Sequence, residues 1–264
     1  MALTNVGALP AMNEKLLPEE ELRRLMHGLL SGLSHDLRTP LSTINGWLYV
    51  LDADKLDATA RKRALGKMRA NIEDQVRLID DVMLLSSCIF SHLSVDATFI
   101  SPVATLEAAM TNLQAIAGAG SVTLAPARVS DNVNISADAA LLRRVFEILI
   151  FHGIKTTPAG GAIETAVAVQ ENYVEIAISD TGKGLSPPQI SALFDAFRDA
   201  ESESGSAYPG AERNLMLAKM LVEKQGGQLH ASSSGPGQGT TFTLRMPFAG
   251  APMSAVNVAT VSAA

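Results

Sequence analysis

The sequence predicts an α+β protein. A long antiparallel helical hairpin pairs with a second copy in a dimeric four-helix bundle, and an α/β sandwich follows, with a mixed sheet and helices on one face. Three observations carry this. Over residues 18–52, apolar side chains recur in steps of three and four, at Leu22, Leu25, Leu29, Leu33, Leu37, Leu41, Ile44, Leu48 and Leu51, the period of one helix face. A second stripe of the same period, Leu65, Met68, Ile72, Val76 (or Gln75), Ile79 and Met83, follows a short polar break. Beyond residue 90 the pattern changes, and strand-like segments such as "YVEIAISD" alternate with helical ones, as in a layered fold.

Pro18 suits the first position of helix one, and Glu19, Glu20 and Glu21 suit the positive end of its dipole. Asp57 is the expected N-cap of a second helix running to about residue 88. The short loop between them implies an antiparallel hairpin. Each helix would be about 45–50 Å long. One hairpin of that length cannot bury both stripes by itself; a homodimer can. The charges in "RKRALGKMRANIEDQVR" fall mostly between stripe positions and read as a solvated face.

In the second half, Ser101-Pro102 opens a helix carrying Val103, Leu106, Met110, Leu113 and Ala117 on one face, closed by Gly118. "SVTLA" and "VNIS" read as short strands, and Ser136 or Asp138 starts a helix through about Phe151. "AIETAVAVQENYVEIAISD" reads as two strands joined at Gln170-Glu171-Asn172. "ISALFDAF" and "NLMLAKMLVEKQ" read as helices, the latter closed by Gly226-Gly227, and "QLHASSSGPGQGTTFTLRMP" as a final hairpin. The expected organisation is a flexible N-terminus at 1–17, the hairpin unit at 18–92, the sandwich at 93–249 and a flexible tail at 250–264.

Composition narrows the function classes. The 264 residues are 47% apolar and 18% charged, which describes a soluble globular chain. A net charge of −6 gives no reason to expect binding to nucleic acid. No apolar run approaches the length of a membrane-spanning helix, and the start lacks the pattern of a signal peptide. The single cysteine, Cys88 in "MLLSSCIF", cannot form an internal disulfide and reads as a small buried apolar residue. A reducing, cytoplasmic compartment is expected.

Two strings carry chemistry. In "LSHDLRTPLST", residues 33–43, His35 lies about 200° around the helix from Leu33 and from Leu37. It faces solvent when those leucines face the bundle core. Asp36 beside it can fix the imidazole tautomer and leave the other nitrogen free to attack. Arg38 and Thr39 lie within one turn and can hold phosphoryl oxygens or position water. Pro40 leaves the carbonyl of Asp36 without its helical donor, at a cost of about 3 kcal/mol or more. In "DTGKGL", residues 180–185, an aspartate after a strand can accept from an adenine amino group, while Gly182 and Gly184 let backbone approach a nucleotide.

"SHDLRTPLS" closely resembles the H box of the sensor histidine kinases of two-component systems. That resemblance implies that His35 takes a phosphoryl group from ATP and passes it to an aspartate on a response-regulator receiver domain. Asp36 would be the acid/base, and Thr39 matches the position used to dephosphorylate the regulator. The hairpin then looks like a dimerisation and phosphotransfer domain, and the sandwich like a Bergerat-type ATP-binding domain. "DTGKGL" is similar to the family's first glycine box, "LFDAF" to its F box and "IKTTPAGG" to the end of its N box. By resemblance Lys155 reaches nucleotide phosphates, and Thr240 in "GQGTTFTLRMP" lies near the adenine pocket. "DAESESGSAYP" stands where a nucleotide lid is expected, without evident basic phosphate ligands.

Two places depart from the pattern. His152 replaces the asparagine that supplies an oxygen to Mg²⁺, and Ile148 replaces an earlier asparagine. Mg²⁺ wants hard oxygen ligands, which imidazole is not. As a transition-metal ligand His152 has no second ligand at a useful spacing. In "GAERNLML" Gly210 remains of the second glycine box, but Glu212 and Asn214 replace glycines. ATP and Mg²⁺ are thus implied by resemblance, with binding weakened or lost. The leading expectation is a cytoplasmic two-component histidine kinase with weakened autokinase activity. One alternative is a histidine phosphotransferase or regulator phosphatase, served by an upstream kinase. Another is a non-catalytic dimeric scaffold.

Overall fold

The computed structural model describes residues 37–52, 57–90, 92–130, 133–194 and 211–248. His35, Asp36 and Gly210 lie outside the described residues, as do both expected flexible ends and the acidic stretch before Gly210. Among the described residues no helix is long and apolar enough to cross a membrane.

Helix α1 is described over 37–52 and is helical through Pro40. Helix α2, Ala58–Ile89, is capped as expected by Asp57, whose Oδ1 accepts from the amide of Ala60 at 2.6 Å. The stripe read from sequence divides into two faces. Met68 and Gln75 of the stripe, with Ala64 and Leu78 beside them, are buried or half-buried, and Gln75 reaches across to α1. Leu65, Ile72, Val76, Ile79 and Met83 are each at least half exposed in the single chain. Leu41 and Leu48 of α1 are exposed too. A third face, Asp81, Leu85 and Cys88, is buried.

The second unit holds β1 (Thr98–Ile100), α3 (Pro102–Ala119), β2 (Thr123–Leu124), β3 (Arg128–Val129), β4 (Ile135–Ala137), α4 (Ala139–Thr156), β5 (Ala162–Val169), β6 (Tyr173–Asp180), α5 (Pro187–Ser191), α6 (Ala211–Lys224), β7 (Gln228–Ser232) and β8 (Thr241–Pro247). The main sheet runs β2-β5-β6-β8-β7, with β3 also on β5. β2 and β3 are parallel to β5 and the other pairs are antiparallel, so the sheet is mixed as predicted. β1 and β4 form a separate antiparallel pair. On β6 and β8 alternate side chains are buried, placing Ile176, Ile178, Phe242 and Leu244 in one core with Leu106, Phe146, Leu149 and Leu221 of α3, α4 and α6.

The boundaries moved in three places, and one of two candidate caps was selected. Helix α3 continues past Gly118 and is closed by Gly120. Of the two candidate caps, Asp138 is used; its Oδ1 accepts from the amides of Ala140 and Leu141. Helix α4 does not stop near Phe151 but runs to Thr156, because Ile154 still has a buried place in the core. His152 and Lys155 are therefore helical. "ISALFDAF" is not one helix: α5 ends at Ser191 and residues 192–194 form a turn. Strands β1 and β3, of three and two residues, are too short to show a period.

Candidate functional site

Alternation along β6 puts Asp180 on the buried face, in line with Val174, Ile176 and Ile178. A carboxylate thus ends an apolar row. Its Oδ1 accepts from the amide of Gly182 at 2.7 Å, while Oδ2 is buried with no hydrogen-bond partner. Burial lifts the Asp180 carboxyl above its ordinary range, and the backbone amides of Gly182 and Thr240 oppose that lift. An unsatisfied buried acceptor is costly unless a ligand supplies a donor. Its position suits an exocyclic amine such as that of adenine.

The loops around Asp180 are tied together by backbone. The amide of Asp180 donates to the carbonyl of Thr240 at 2.9 Å, and that of Gly239 to Gly182 at 3.1 Å. Thr240 is itself buried. Gly182 admits no side chain: a Cβ there would stand 2.6 Å from Asp180 Oδ1 and 2.7 Å from the carbonyl of Thr156. Gly184, at φ +63°, abuts the carbonyl of Gly235. The two glycines thus let the 180–185 loop pack against both the end of α4 and the β7–β8 connection. Asp180, Gly182, Gly184 and Thr240 come together as one cradle.

Lys155 is exposed in the last turn of α4, its Nζ 5.0 Å from the ring centroid of Phe151. From there it is available to solvent and to an anion. Glu212 falls in the first turn of α6, and Asn214, two residues on, is half-buried.

The position expected to serve Mg²⁺ does not fit that ion. The His152 ring stands edge-on to Phe242, with centroids 5.5 Å apart at 90°. Its Nδ1 is buried without a partner, and burial pulls the imidazole down to about 4. It is a neutral ring packed on an aromatic side chain, not a hard oxygen donor. Ile148, one turn earlier, is buried and offers no donor at all. Among the described residues no group of three or more His, Cys, Asp or Glu side chains could hold a metal ion.

Residues that the sequence reading passed over complete the site. Gly153 lets α4 lie close to β5 and β6, since a Cβ would stand 2.8 Å from Ile163 Cδ1 and 3.5 Å from Asp180 Cβ. A glycine inside a helix costs about 1 kcal/mol relative to alanine, and that cost was the available signal. Thr181 Oγ1 accepts from the amide of Ala162 at 3.0 Å and fixes the start of β5 beside the loop. At the hairpin, Thr39 is exposed, and Gln75 Nε2 donates to the carbonyl of Leu37 at 2.9 Å.

Comparison with known proteins agrees with both halves of this picture. Residues 25–87 match the family model "His Kinase A (phospho-acceptor) domain". Residues 137–250 match "Histidine kinase-, DNA gyrase B-, and HSP90-like ATPase". The chain is 28% identical over 235 residues to the sensor protein GacS of Pseudomonas syringae pv. syringae, covering 86% of this chain and 26% of that protein. It is 31% identical over 229 residues to the sensor protein DivL of Caulobacter vibrioides, covering 86% of this chain and 29% of that protein. It therefore spans between a quarter and a third of the length of these two relatives. The fold resembles that of the histidine kinase ThkA, solved in complex with the response regulator protein TrrA. The TM-score is 0.62 at 15% identity, over 90% of this chain and 68% of that one. With a phosphoacceptor model on the hairpin, an ATPase model on the sandwich and sensor proteins as relatives, the chain belongs to the sensor histidine kinase family of two-component systems.

Proposed function

We propose that this chain is a phosphotransfer component of a two-component pathway, with His35 as the residue that carries the phosphoryl group. In this reading the unit at 18–92 dimerises and presents His35, and the unit at 93–249 holds an adenine nucleotide through Asp180, Gly182, Gly184 and Thr240. Transfer breaks the P–N bond to His35 as a P–O bond forms to an aspartate carboxylate of a receiver domain. Asp36 holds the imidazole tautomer, and Thr39 positions water for a separate reaction, hydrolysis of the receiver's aspartyl phosphate to the free carboxylate and inorganic phosphate. The exposed stripe Leu65, Ile72, Val76, Ile79 and Met83 supports the homodimer, since large contiguous apolar faces mark interfaces. That ThkA was solved with its response regulator supports a receiver domain as the partner. A cytoplasmic site of action belongs to the same proposal.

One observation supports a direction for the chemistry: the His152 ring packed on Phe242 where a magnesium ligand is expected. Phosphoryl transfer from ATP depends on neutralising charge on the phosphates. ATP, when bound, would supply the phosphoryl group, but while Asp180 and its loops suit the base end, His152 and Ile148 offer no oxygen ligand for a metal at the phosphate end. Self-charging of His35 from ATP is therefore weak. The same observation favours a second reading, in which His35 is charged by another phosphoprotein, a regulator or an upstream kinase. The test is incubation of the purified chain with γ-labelled ATP and Mg²⁺. Slow or absent labelling is expected. Fast labelling that disappears in His35→Ala would refute the weakness, and labelling that persists in His35→Ala would refute the assignment of His35.

A further inference from the structure

The third face of α2 is turned to the ATPase-like unit. Asp81, Leu85 and Cys88 are 5%, 4% and 2% exposed. Leu85 and Cys88 belong to the same apolar core as α4 and α6. Asp81 Oδ1 accepts from two nitrogens of Arg144 on α4: Nε at 2.9 Å, and Nη2. Arg144 Nη1 donates to Glu147 Oε2 at 3.3 Å, and Glu147 Oε1 accepts from Asn112 Nδ2 on α3 at 2.8 Å. One polar chain thus crosses from the hairpin to two helices of the sandwich. Asp81 lies about 9 Å along α2 from Gln75, and Gln75 meets α1 at Leu37, two residues from His35 in sequence.

Two charges taken out of water gain little net stability from each other, yet either one left alone in that place is strongly unfavourable. Such a pair selects one seating over others. The apolar part of the contact, Leu85 and Cys88, would tolerate small slides that Arg144 and Asp81 do not. We propose that Asp81 and Arg144 are positioning residues: their ion pair latches the ATPase-like unit to helix α2 in one orientation, and its opening allows that unit to move relative to the phosphoacceptor helix. The effect on transfer rests on the assignment of His35; the latch itself does not.

The chain carries its own reporter, because Cys88 is its single cysteine and is buried in this contact. A thiol reagent such as dithiobis-nitrobenzoate reaches it when the seating opens. Under native conditions, Asp81→Leu and Arg144→Met should each raise the rate of Cys88 modification at least tenfold. The double variant, which removes both charges of the Asp81–Arg144 pair and leaves Glu147 with Arg143 at 3.9 Å and Asn112 at 2.8 Å, should return to within about threefold of the parent. Asp81→Asn, which keeps the shape, should act as Asp81→Leu does and serves if a bulkier variant fails to fold. Arg128→Ala, at the exposed pair with Glu164, should leave the rate unchanged. Transfer from a phosphorylated receiver to His35 should change in the single variants and recover in the double. Single variants with the parent's Cys88 rate, or a double variant no better than the product of the singles, would overturn the latch. A parent chain that accepts no phosphoryl group overturns the assignment of His35 instead, and the Cys88 rates still judge the latch.

Discussion

Gln75 on α2 donates from Nε2 to the backbone carbonyl of Leu37 on α1, 2.9 Å away and 38 positions earlier in the chain. The bond ties α1 to α2 three residues before Pro40. Pro40 has no N–H to offer the carbonyl of Asp36, the next one back. A side chain from the partner helix thus restrains backbone beside a point where the helix has lost a rung. Gln75→Leu should destabilise the hairpin by about 1 kcal/mol, read as a lower Tm, and should change the rate of transfer at His35. Gln75→Glu, which cannot donate, should match it. An unchanged rate in both would show that the bond serves stability alone.

The exposed stripe of α2 makes the dimer prediction specific. Ile72→Asp or Ile79→Asp places a carboxylate at the centre of the expected four-helix seam. Light scattering after gel filtration should show a dimer for the parent and a monomer for either variant. Leu93 and Val95 pack against the sandwich core, and a polar change there should leave the dimer intact.

Asp180 predicts a pH dependence whose sign follows from burial. Its folded pKa is raised, so the empty fold binds this proton more readily than the unfolded chain does. Stability of the unliganded chain should therefore rise as pH falls through the raised value towards 3.8, the ordinary one, and level off below it. Asp180→Asn should remove that slope. Adenine binding runs the other way: it needs the carboxylate as acceptor, so affinity should fall over the same window. Asp180→Ala should cost at least tenfold in affinity for an adenine nucleotide at neutral pH, measured by calorimetry.

His152 gives the opposite slope. Its folded pKa is depressed from 6.5 to about 4, so the unfolded chain binds the proton first. Stability should be lost as pH falls from 6.5 through about 4, by at most about 3 kcal/mol. His152→Phe should flatten that loss. If the ring is core packing on Phe242 and no ligand, nucleotide affinity of the parent should stay within about twofold with and without Mg²⁺. A large gain on adding Mg²⁺ would contradict the reading of this position.

How much of this could be read from residues alone varies with the signal. The hairpin was legible because its stripes are long, and Asp57 announced its cap, while Asp138 was one of two candidates. The division of the α2 stripe into two faces was not, since Met68 and Ile72 look alike in sequence and differ only in what lies opposite. β6 was legible by strict alternation, and with it the place of Asp180. The extra turn of α4 was missed because Gly153 and the threonines at 156 and 157 resemble a stop. The closeness to Ile163 that requires Gly153 is long-range information. The Asp81–Arg144 pair was invisible for the same reason: its partners stand 63 positions apart.

The central claim is that His35 carries a phosphoryl group whatever the state of the ATP pocket. The direct measurement is to mix the chain, without ATP, with a labelled phosphorylated receiver domain and follow the label by acid- and base-stability and by mass spectrometry. The account predicts rapid, base-stable and acid-labile label on His35 of the parent chain, absent in His35→Ala and retained in Asp180→Ala. Label that never appears on His35, across receivers and phosphorylated partner kinases alike, would contradict it.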